Sequence, residues 1–199
     1  MTPLSPLHGI AVCVGGIPGV GKTTLLRRYV TEVNLRDRTI TGSSVLRWMI
    51  APTSLQDFDE WPEARKLAAR EEAIRRMEVE RRTTPGRLLV DGHFTLRDRR
   101  TGLVRPVFTP GDRGFYGALV LVDGDVEQVL ARRRRDPKDR GVEIASDVRE
   151  HLLVEHREGE RLSREMAVPY LVIPAENQRR GVEMLADFLD QHAPLGSSP

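Results

Sequence analysis

The chain has 199 residues, which is enough for one compact domain with a full hydrophobic core but too short for two ordinary domains. Hydrophobic residues make up 39% and charged residues 30% of the chain, a composition that excludes a disordered protein. The 31 basic and 29 acidic residues leave a formal net charge of +2, which disfavours duplex nucleic acid as a partner.

Cysteine usage and the beginning of the chain bear on where the protein works. Cys13 is the only cysteine, so no disulfide framework can form, and we expect a cytoplasmic location. It lies in an apolar run and is predicted to pack as a small buried hydrophobe. The opening MTPLSPLHG lacks a basic leader followed by an apolar stretch. No run reaches the roughly eighteen apolar residues of a membrane span, so we expect neither signal peptide nor span.

Short apolar runs predict buried strands, because each is followed by turn residues and then by a helical pattern. The clear runs are Ile10–Val14, Leu88–Val90, Ala118–Val122 and Tyr170–Ile173, and Thr39–Thr41 is a weaker one. Strands that alternate with helices form a parallel sheet covered on both faces. We therefore predict one α/β domain over residues 1–199 with a five-stranded parallel sheet.

Helical patterns separate these runs. They cover Thr23–Val33, Ser43–Met49, Trp61–Arg82, Val126–Arg134, Ala145–Met166 and Gln178–Gln191. Two segments, Gly92–Arg113 and Arg135–Gly141, are predicted to be neither strand nor helix, and in a kinase they would cover the substrate. The small, polar end at 192–199 is expected to fray.

A phosphate-binding pattern, GIPGVGKT over Gly16–Thr23, lies between the first strand and the first helix. Its glycines let the backbone come within hydrogen-bonding reach of phosphate oxygens, while the amides at the helix start face the same anion. Lys22 would reach the β- and γ-phosphates of ATP, and the Thr23 hydroxyl would bind Mg²⁺. The alternative is a glycine-rich turn without a ligand. The predicted nucleotide-binding residues are Gly16, Gly19, Val20, Gly21, Lys22, Thr23 and Thr24.

A second acidic group is predicted from the strand Leu88–Val90, which ends in Asp91. P-loop proteins hold Mg²⁺ with a carboxylate at this place, and Asp91 would do so through water. An aspartate in a simple turn after a strand would look similar. His93, two residues later, is a candidate for substrate binding, and packing in the turn is an equal alternative.

With the loop and the carboxylate in place, the chain resembles the nucleoside monophosphate kinases, most closely the archaeal-type adenylate kinases, over residues 9–190. The resemblance rests on AVCVGGIPGVGKTT, Thr41-Gly42-Ser43-Ser44, Arg65-Lys66-Leu67, Val90-Asp91-Gly92-His93 and the stretch from Leu121 to Arg140. It implies a P-loop NTPase three-layer sandwich with an acceptor-binding arm over about 42–84 and a short lid over about 135–141. It also implies that Gly42, Ser43 and Arg65 contact the acceptor.

The same resemblance assigns catalytic roles to arginines that surround the migrating phosphoryl group. Successive side chains on a helix point about 100° apart, so at most two of Arg132 to Arg135 can face the nucleotide. We favour Arg132 for the adenine side and Arg135 for phosphate, with Arg140 ending the lid. From the following helix we select Arg157 as a second phosphate clamp. A solvated helix face is the alternative for each of these arginines.

The chain also departs from those enzymes beside the acceptor pocket. The segment Leu96–Arg105 is rich in arginine, and its members would recognise something other than AMP; they are Arg97, Arg99, Arg100 and Arg105. Near the acceptor arm, Phe58 or Trp61 would stack on a base or would anchor a helix to the core.

Three functions are consistent with these patterns. The leading hypothesis is a Mg²⁺-dependent enzyme that moves the γ-phosphate of ATP to a nucleoside monophosphate, AMP-like in the first instance. The second keeps ATP but phosphorylates a hydroxyl of a small molecule or of a polynucleotide 5′ end, which requires a base beside that hydroxyl. The third is a nucleotide-dependent ATPase switch that acts through partners.

Overall fold

The computed structural model describes residues 9–98, 101–135 and 144–194. Its central sheet has five parallel strands in the spatial order β2-β3-β1-β6-β7. They are β1 (Ala11–Gly15), β2 (Arg38–Thr41), β3 (Leu88–Asp91), β6 (Tyr116–Asp123) and β7 (Tyr170–Pro174). The predicted five-stranded parallel α/β fold is confirmed, and Thr39–Thr41 is a strand at the edge of the sheet. Apolar β1 is buried along its whole length and lies at the centre.

Helices cover both faces of the sheet. Those of the described residues are α1 (Lys22–Glu32), α2 (Gly42–Ile50), α3 (Leu55–Asp59), α4 (Glu63–Thr83), α5 (Pro110–Phe115), α6 (Val126–Arg135), α7 (Ala145–Met166) and α8 (Gln178–His192). Side chains alternate between the faces of a strand, so Val12 and Val14 of β1 pack with α1 and α8, whereas Ala11 and Cys13 face α4 and the end of α7. The result is three layers with β1 in the middle.

The segment Gly92–Arg113 was predicted to lack regular structure, and this prediction is wrong. It contains an antiparallel hairpin, β4 (Thr95–Arg97) with β5 (Val104–Pro106), followed by α5. The strands are too short for a clear alternating pattern, and Phe94 before them is anchored by burial against Phe108. The start of α5 does carry a sequence signal, because Thr109 and Asp112 form a capping box and Pro110 is the first helical residue.

Other predictions about organisation have mixed outcomes. The short helix α3 was also missed, although Ser54 and Asp57 form its capping box. Cys13 is buried and not in a disulfide, as expected. Apart from Arg135, the predicted lid lies outside the described residues, as does 195–199 of the predicted tail. Within the described residues, none of the helices combines the length and the apolar character needed to cross a membrane.

A buried arginine joins the amino-terminal end of the sheet to the first and last helices. The guanidinium of Arg87 donates hydrogen bonds to the carbonyl of Ala193 (2.6 Å), to the hydroxyl of Tyr29 (2.9 Å) and to Asp190 (2.7 Å). It also pairs with buried Asp37 at 3.3 Å. Removing one partner of a buried pair leaves the other charge desolvated without compensation.

We therefore expect Arg87→Ala to lower the free energy of unfolding by about 3 to 5 kcal/mol. Urea denaturation of the variant and the wild type measures this difference. The control is Arg28→Ala, which removes an exposed pair with Glu32 on α1 and should leave the urea midpoint nearly unchanged, because solvent screens exposed ion pairs. Equal effects of the two substitutions would contradict the role given to Arg87.

Candidate active site

The phosphate loop connects the carboxyl end of β1 to the start of α1. Gly16, Gly19 and Gly21 have φ angles of 135°, 85° and 115°, which side chains other than glycine rarely adopt. A Cβ on Gly16 would also lie 2.6 Å from the carbonyl oxygen of Val122. The glycine spacing therefore meets a steric requirement of the folded loop.

The first turn of α1 provides open backbone donors. Its first residue is Lys22, no side chain caps it, and its first turn holds no acidic residue. The first amides of a helix lack intrahelical acceptors and carry partial positive charge. The amides of Lys22, Thr23 and Thr24 therefore suit an anion, and the geometry is that of a phosphate cradle.

Two further groups of the predicted site meet beside this cradle. The Thr23 hydroxyl donates to Asp91 Oδ2 at 2.6 Å, and Lys22 Nζ lies 3.7 Å from Asp91 Oδ1. Lys22 is 6% exposed, and burial lowers its pKa while the Asp91 charge opposes that shift. The prediction that Lys22, Thr23 and Asp91 lie together thus agrees with the geometry.

A hydroxyl and a carboxylate oxygen at this spacing are the hard oxygen ligands that Mg²⁺ prefers. Among the described residues, no cluster of three His, Cys, Asp or Glu side chains could hold a metal ion. Thr23 and Asp91 alone therefore fit a metal that completes its coordination with water and phosphate oxygens, as Mg²⁺ does beside a nucleotide.

Side chains hold both backbone polar groups of Gly16. Its carbonyl accepts from Lys22 Nζ at 2.5 Å and contacts His93 Nδ1 at 2.7 Å. A carbonyl only accepts, so Nδ1 of His93 carries the hydrogen. Burial lowers the pKa of His93 well below its usual value, so the ring is neutral. The structure thus places His93 against the phosphate loop, as packing in the turn would require.

The amide of Gly16 is held by Glu155, which the sequence analysis missed. Glu155 is fully buried, and its Oε1 accepts from the amides of Gly16 and Phe94, both at 2.9 Å. Its Oε2 accepts from the amide of Thr95 at 2.7 Å and from the Thr95 hydroxyl. Burial raises the pKa of Glu155, and these donors oppose the shift. The sequence did carry a signal for the burial of Glu155, because Val148, Glu155 and Leu162 recur at seven-residue intervals on the buried face of α7.

The arginines of α6 pack under the loop. Arg132 Nη1 donates to the carbonyl of Val20 at 2.5 Å, and Arg133 Nε donates to that of Pro18 at 2.7 Å. Arg132 was predicted beside the nucleotide, whereas the role of buried Arg133 was not foreseen. Arg135 is exposed at the end of α6.

Two other arginines were predicted as phosphate clamps. Arg140 lies outside the described residues. Arg157 is exposed. It lies two residues, about 200° of helical rotation, from the Glu155 that faces Gly16. The side of α7 that contacts the loop thus presents the carboxylate of Glu155 there and not the cation of Arg157.

A cavity of about 630 Å³ opens beside the loop, between α3, α4, the β4–β5 hairpin and the start of α7. Its basic lining residues are Lys66, Arg70, Arg97, Arg105 and Arg133, and its acidic ones are Asp59, Glu60, Glu63, Asp98 and Asp147. Some of these charges pair with one another: Lys66 lies 2.6 Å from Glu63 on the same helix, and Arg97 of the hairpin lies 3.1 Å from Asp147 of α7.

The predicted acceptor contacts Gly42, Ser43, Arg65 and His93 are not among the residues that line this cavity. Lys66 lines it, whereas its neighbour Arg65 lies 3.5 Å above the ring of Trp61. Gly42 and Ser43 begin α2 next to the carboxyl end of β3, and a Cβ on Gly42 would meet the carbonyl of Asp91 at 3.8 Å. Phe58 is buried and so anchors α3 to the core.

A comparison with models of protein families identifies the family of this chain. A family model described as an AAA domain matches residues 15–152, which include the phosphate loop, Asp91 and α6. The chain belongs to the AAA domain family. A comparison of the AAA domain protein with curated sequences found no match.

Solved structures similar to this AAA domain protein are kinases. Shikimate kinase from Bacteroides thetaiotaomicron is 14% identical, with a TM-score of 0.58 over 91% of this chain and 98% of that one. Shikimate kinase from Acinetobacter baumannii in complex with shikimate is 17% identical, with a TM-score of 0.59 over 94% and 93%. A sugar kinase from Janibacter sp. HTCC2649, unliganded, is 18% identical, with a TM-score of 0.52 over 96% and 99%. At these identities the likeness shows the fold alone, an α/β fold with a five-stranded parallel sheet that is consistent with a P-loop NTPase kinase.

Glu155→Gln tests whether the carboxylate fixes the loop. All the partners of Glu155 donate hydrogen bonds to it. The NH₂ group of glutamine would therefore face at least one backbone N–H, and two donors cannot bond to each other. We expect the free energy of unfolding to fall by about 1 to 3 kcal/mol. The control on the same helix is Glu160→Gln, which changes an exposed side chain beside His156. Thermal unfolding followed by circular dichroism compares the two, and equal melting temperatures would contradict this account.

Proposed function

We propose that this protein is an ATP-dependent phosphotransferase whose acceptor is a nucleoside monophosphate, AMP-like in the first instance. The observation that carries the proposal is the meeting of Lys22, Thr23 and Asp91 at a loop beside a cavity whose lining includes five basic side chains among its charged residues. The fold of P-loop kinases supports the donor half, since such proteins bind ATP with these residue types. The resemblance to archaeal-type adenylate kinases supports the acceptor half.

The donor half needs little covalent chemistry from the protein. Phosphoryl transfer spreads negative charge over the equatorial oxygens, so catalysis consists of positioning and of stabilising that charge. The amides at the start of α1 would hold the β-phosphate, and Lys22 would reach the γ-phosphate. Mg²⁺ held by Thr23, and by Asp91 through water, would neutralise charge on the phosphate oxygens. Arg132 and Arg133 would keep the loop in shape through its carbonyls.

The acceptor half rests on the charges of the cavity. Lys66, Arg70, Arg97 and Arg105 come from two sides of it and would hold an acceptor phosphate. A monophosphate needs no general base, because its attacking oxygen is already anionic. This matches Asp91, which is engaged by Thr23 and Lys22 and so serves the metal side of the site.

A second candidate is a small-molecule kinase that phosphorylates a hydroxyl. The carboxylates of the cavity favour it, since they suit hydroxyl donors and oppose a second phosphate. The similar shikimate kinase with bound shikimate shows that this fold accommodates such an acceptor. An ATPase switch is less well supported, because α6 already places Arg132 and Arg133 at the loop without a partner protein.

The test is ADP formation from ATP and Mg²⁺ with AMP, CMP, UMP, GMP, the deoxy monophosphates, shikimate and a 5′-hydroxyl oligonucleotide offered separately. We expect one monophosphate, AMP first, to stimulate the rate, and Lys22→Ala to reduce it by about 100-fold or more through loss of transition-state charge stabilisation. Arg28→Ala, an exposed cation on the same helix, is the control and should leave the rate unchanged. Stimulation by shikimate or the oligonucleotide would favour the second candidate, and no stimulation by any compound would favour the switch.

Asp91→Asn separates the two kinase candidates. In a monophosphate kinase we expect a lower kcat and a higher Mg²⁺ requirement, with the acceptor KM changed by about 2-fold or less, because Asp91 serves the metal side. Steady-state kinetics at several Mg²⁺ concentrations measure these constants. Activity that is lost at every Mg²⁺ concentration would instead identify Asp91 as the base of a hydroxyl kinase.

A further inference from the structure

A buried histidine on the wall of the cavity has a ring nitrogen without a partner. His151 is 3% exposed and lines the cavity together with Pro18 of the phosphate loop and Arg133. Its Nε2 is fully buried and makes no hydrogen bond to any of the described residues. Buried polar atoms in folded proteins nearly always have a partner, so an orphaned one beside a cavity calls for a ligand.

The chemical state of this ring follows from its surroundings. Burial, with the positive charge of Arg133, lowers the pKa of His151 to about 4, and the Thr95 backbone opposes this shift, as a carbonyl beside the ring does. The ring is therefore neutral at pH 7. We assign its hydrogen to Nδ1, on the side of that carbonyl, so that Nε2 offers a lone pair that can only accept.

The position of His151 relates this lone pair to the phosphate loop. His151 lies four residues before Glu155, so the two share one face of α7 about 6 Å apart. Glu155 binds the amides of Gly16 and Thr95. The His151 ring therefore lies in the wall of the cavity where it approaches the loop, in agreement with Pro18 in the same lining.

We propose that His151 Nε2 accepts a hydrogen bond from a hydroxyl or amino group of the acceptor, which makes His151 a specificity-determining residue. This inference rests on the proposed phosphotransferase function. A phosphate dianion has no hydrogen to donate, so the cations of the cavity take the phosphate and His151 selects the part of the acceptor that carries O–H or N–H. For a nucleoside monophosphate, the ribose hydroxyls and the amino group of the base are such donors.

The first test compares binding of AMP and of shikimate to the wild type, His151→Asn and His151→Gln by titration calorimetry. Asparagine keeps a donor for the Thr95 carbonyl and removes the Nε2 acceptor, so we expect roughly 10- to 100-fold weaker binding of the probe that binds the wild type. Glutamine carries an acceptor at the distance of Nε2 and should restore part of the affinity. ATP affinity should stay within about 2-fold, which a general loss of structure would not allow.

The second test observes the wild-type protein by NMR. The His151 Nε2 signal is identified in long-range ¹H–¹⁵N spectra as the one that the His151→Asn variant lacks. In the wild type we expect this signal to move when AMP is added to saturation. The probe 2′,3′-dideoxy-AMP lacks the ribose hydroxyls but keeps the amino group of the base. If wild type and His151→Asn bind it with equal affinity, the hydrogen-bond donor to His151 is a ribose hydroxyl. If the wild type still binds it more tightly, the donor is the amino group.

The outcomes separate this inference from the function on which it rests. Equal affinity of wild type and His151→Asn for AMP and for shikimate, with an unmoved Nε2 signal, would overturn the role of His151 even in an active kinase. Failure of both probes to bind the wild type would overturn it as well. Binding that depends on His151 without phosphate transfer would instead support His151 and contradict the phosphotransferase.

Discussion

The backbone on both sides of Gly16 is the constraint on which the rest of the site depends. The amide of Gly16 is committed to Glu155, and its carbonyl, in the next peptide group, to Lys22 and His93. Neither peptide group is therefore free to turn towards a ligand, and the phosphate-facing donors begin later in the loop, where α1 starts. Because Glu155 also binds Phe94 and Thr95, the same carboxylate joins the loop, the β4–β5 hairpin and α7. The loop and one wall of the cavity are thus held as one unit.

A buried carboxylate beside a phosphate site requires compensation. An isolated buried charge is strongly destabilising, and Glu155 would also repel the anion that the loop attracts. Its backbone donors and the nearby charge of Lys22 offset both effects. The carboxylate of Glu155 therefore keeps the loop rigid from the side away from the phosphate, while cations lie on the side that would face it.

The cavity shows a related balance between charge and specificity. Basic and acidic side chains line it in equal number, and pairs such as Arg97 with Asp147 hold one another in place. Such a wall favours an acceptor that combines an anionic group with hydrogen-bond donors. His151 contributes to this preference without charge, because burial keeps its ring neutral.

The sequence by itself determined the strands, the main helices and the placing of Lys22, Thr23 and Asp91 at one edge of the sheet. Apolar runs specify buried strands locally, and the carboxyl ends of parallel strands meet at one edge. The contact between the loop after β1 and the aspartate after β3 follows from the pairing of these two strands, which tertiary structure decided. Tertiary structure also decided what the polar residues of α7 contact. The spacing of Val148, Glu155 and Leu162 indicates one face of the helix but not its partner. Glu155 lies against the loop and His151 against the cavity, whereas Arg157 is exposed, because the rotation of a helix relative to its neighbours depends on contacts distant in sequence.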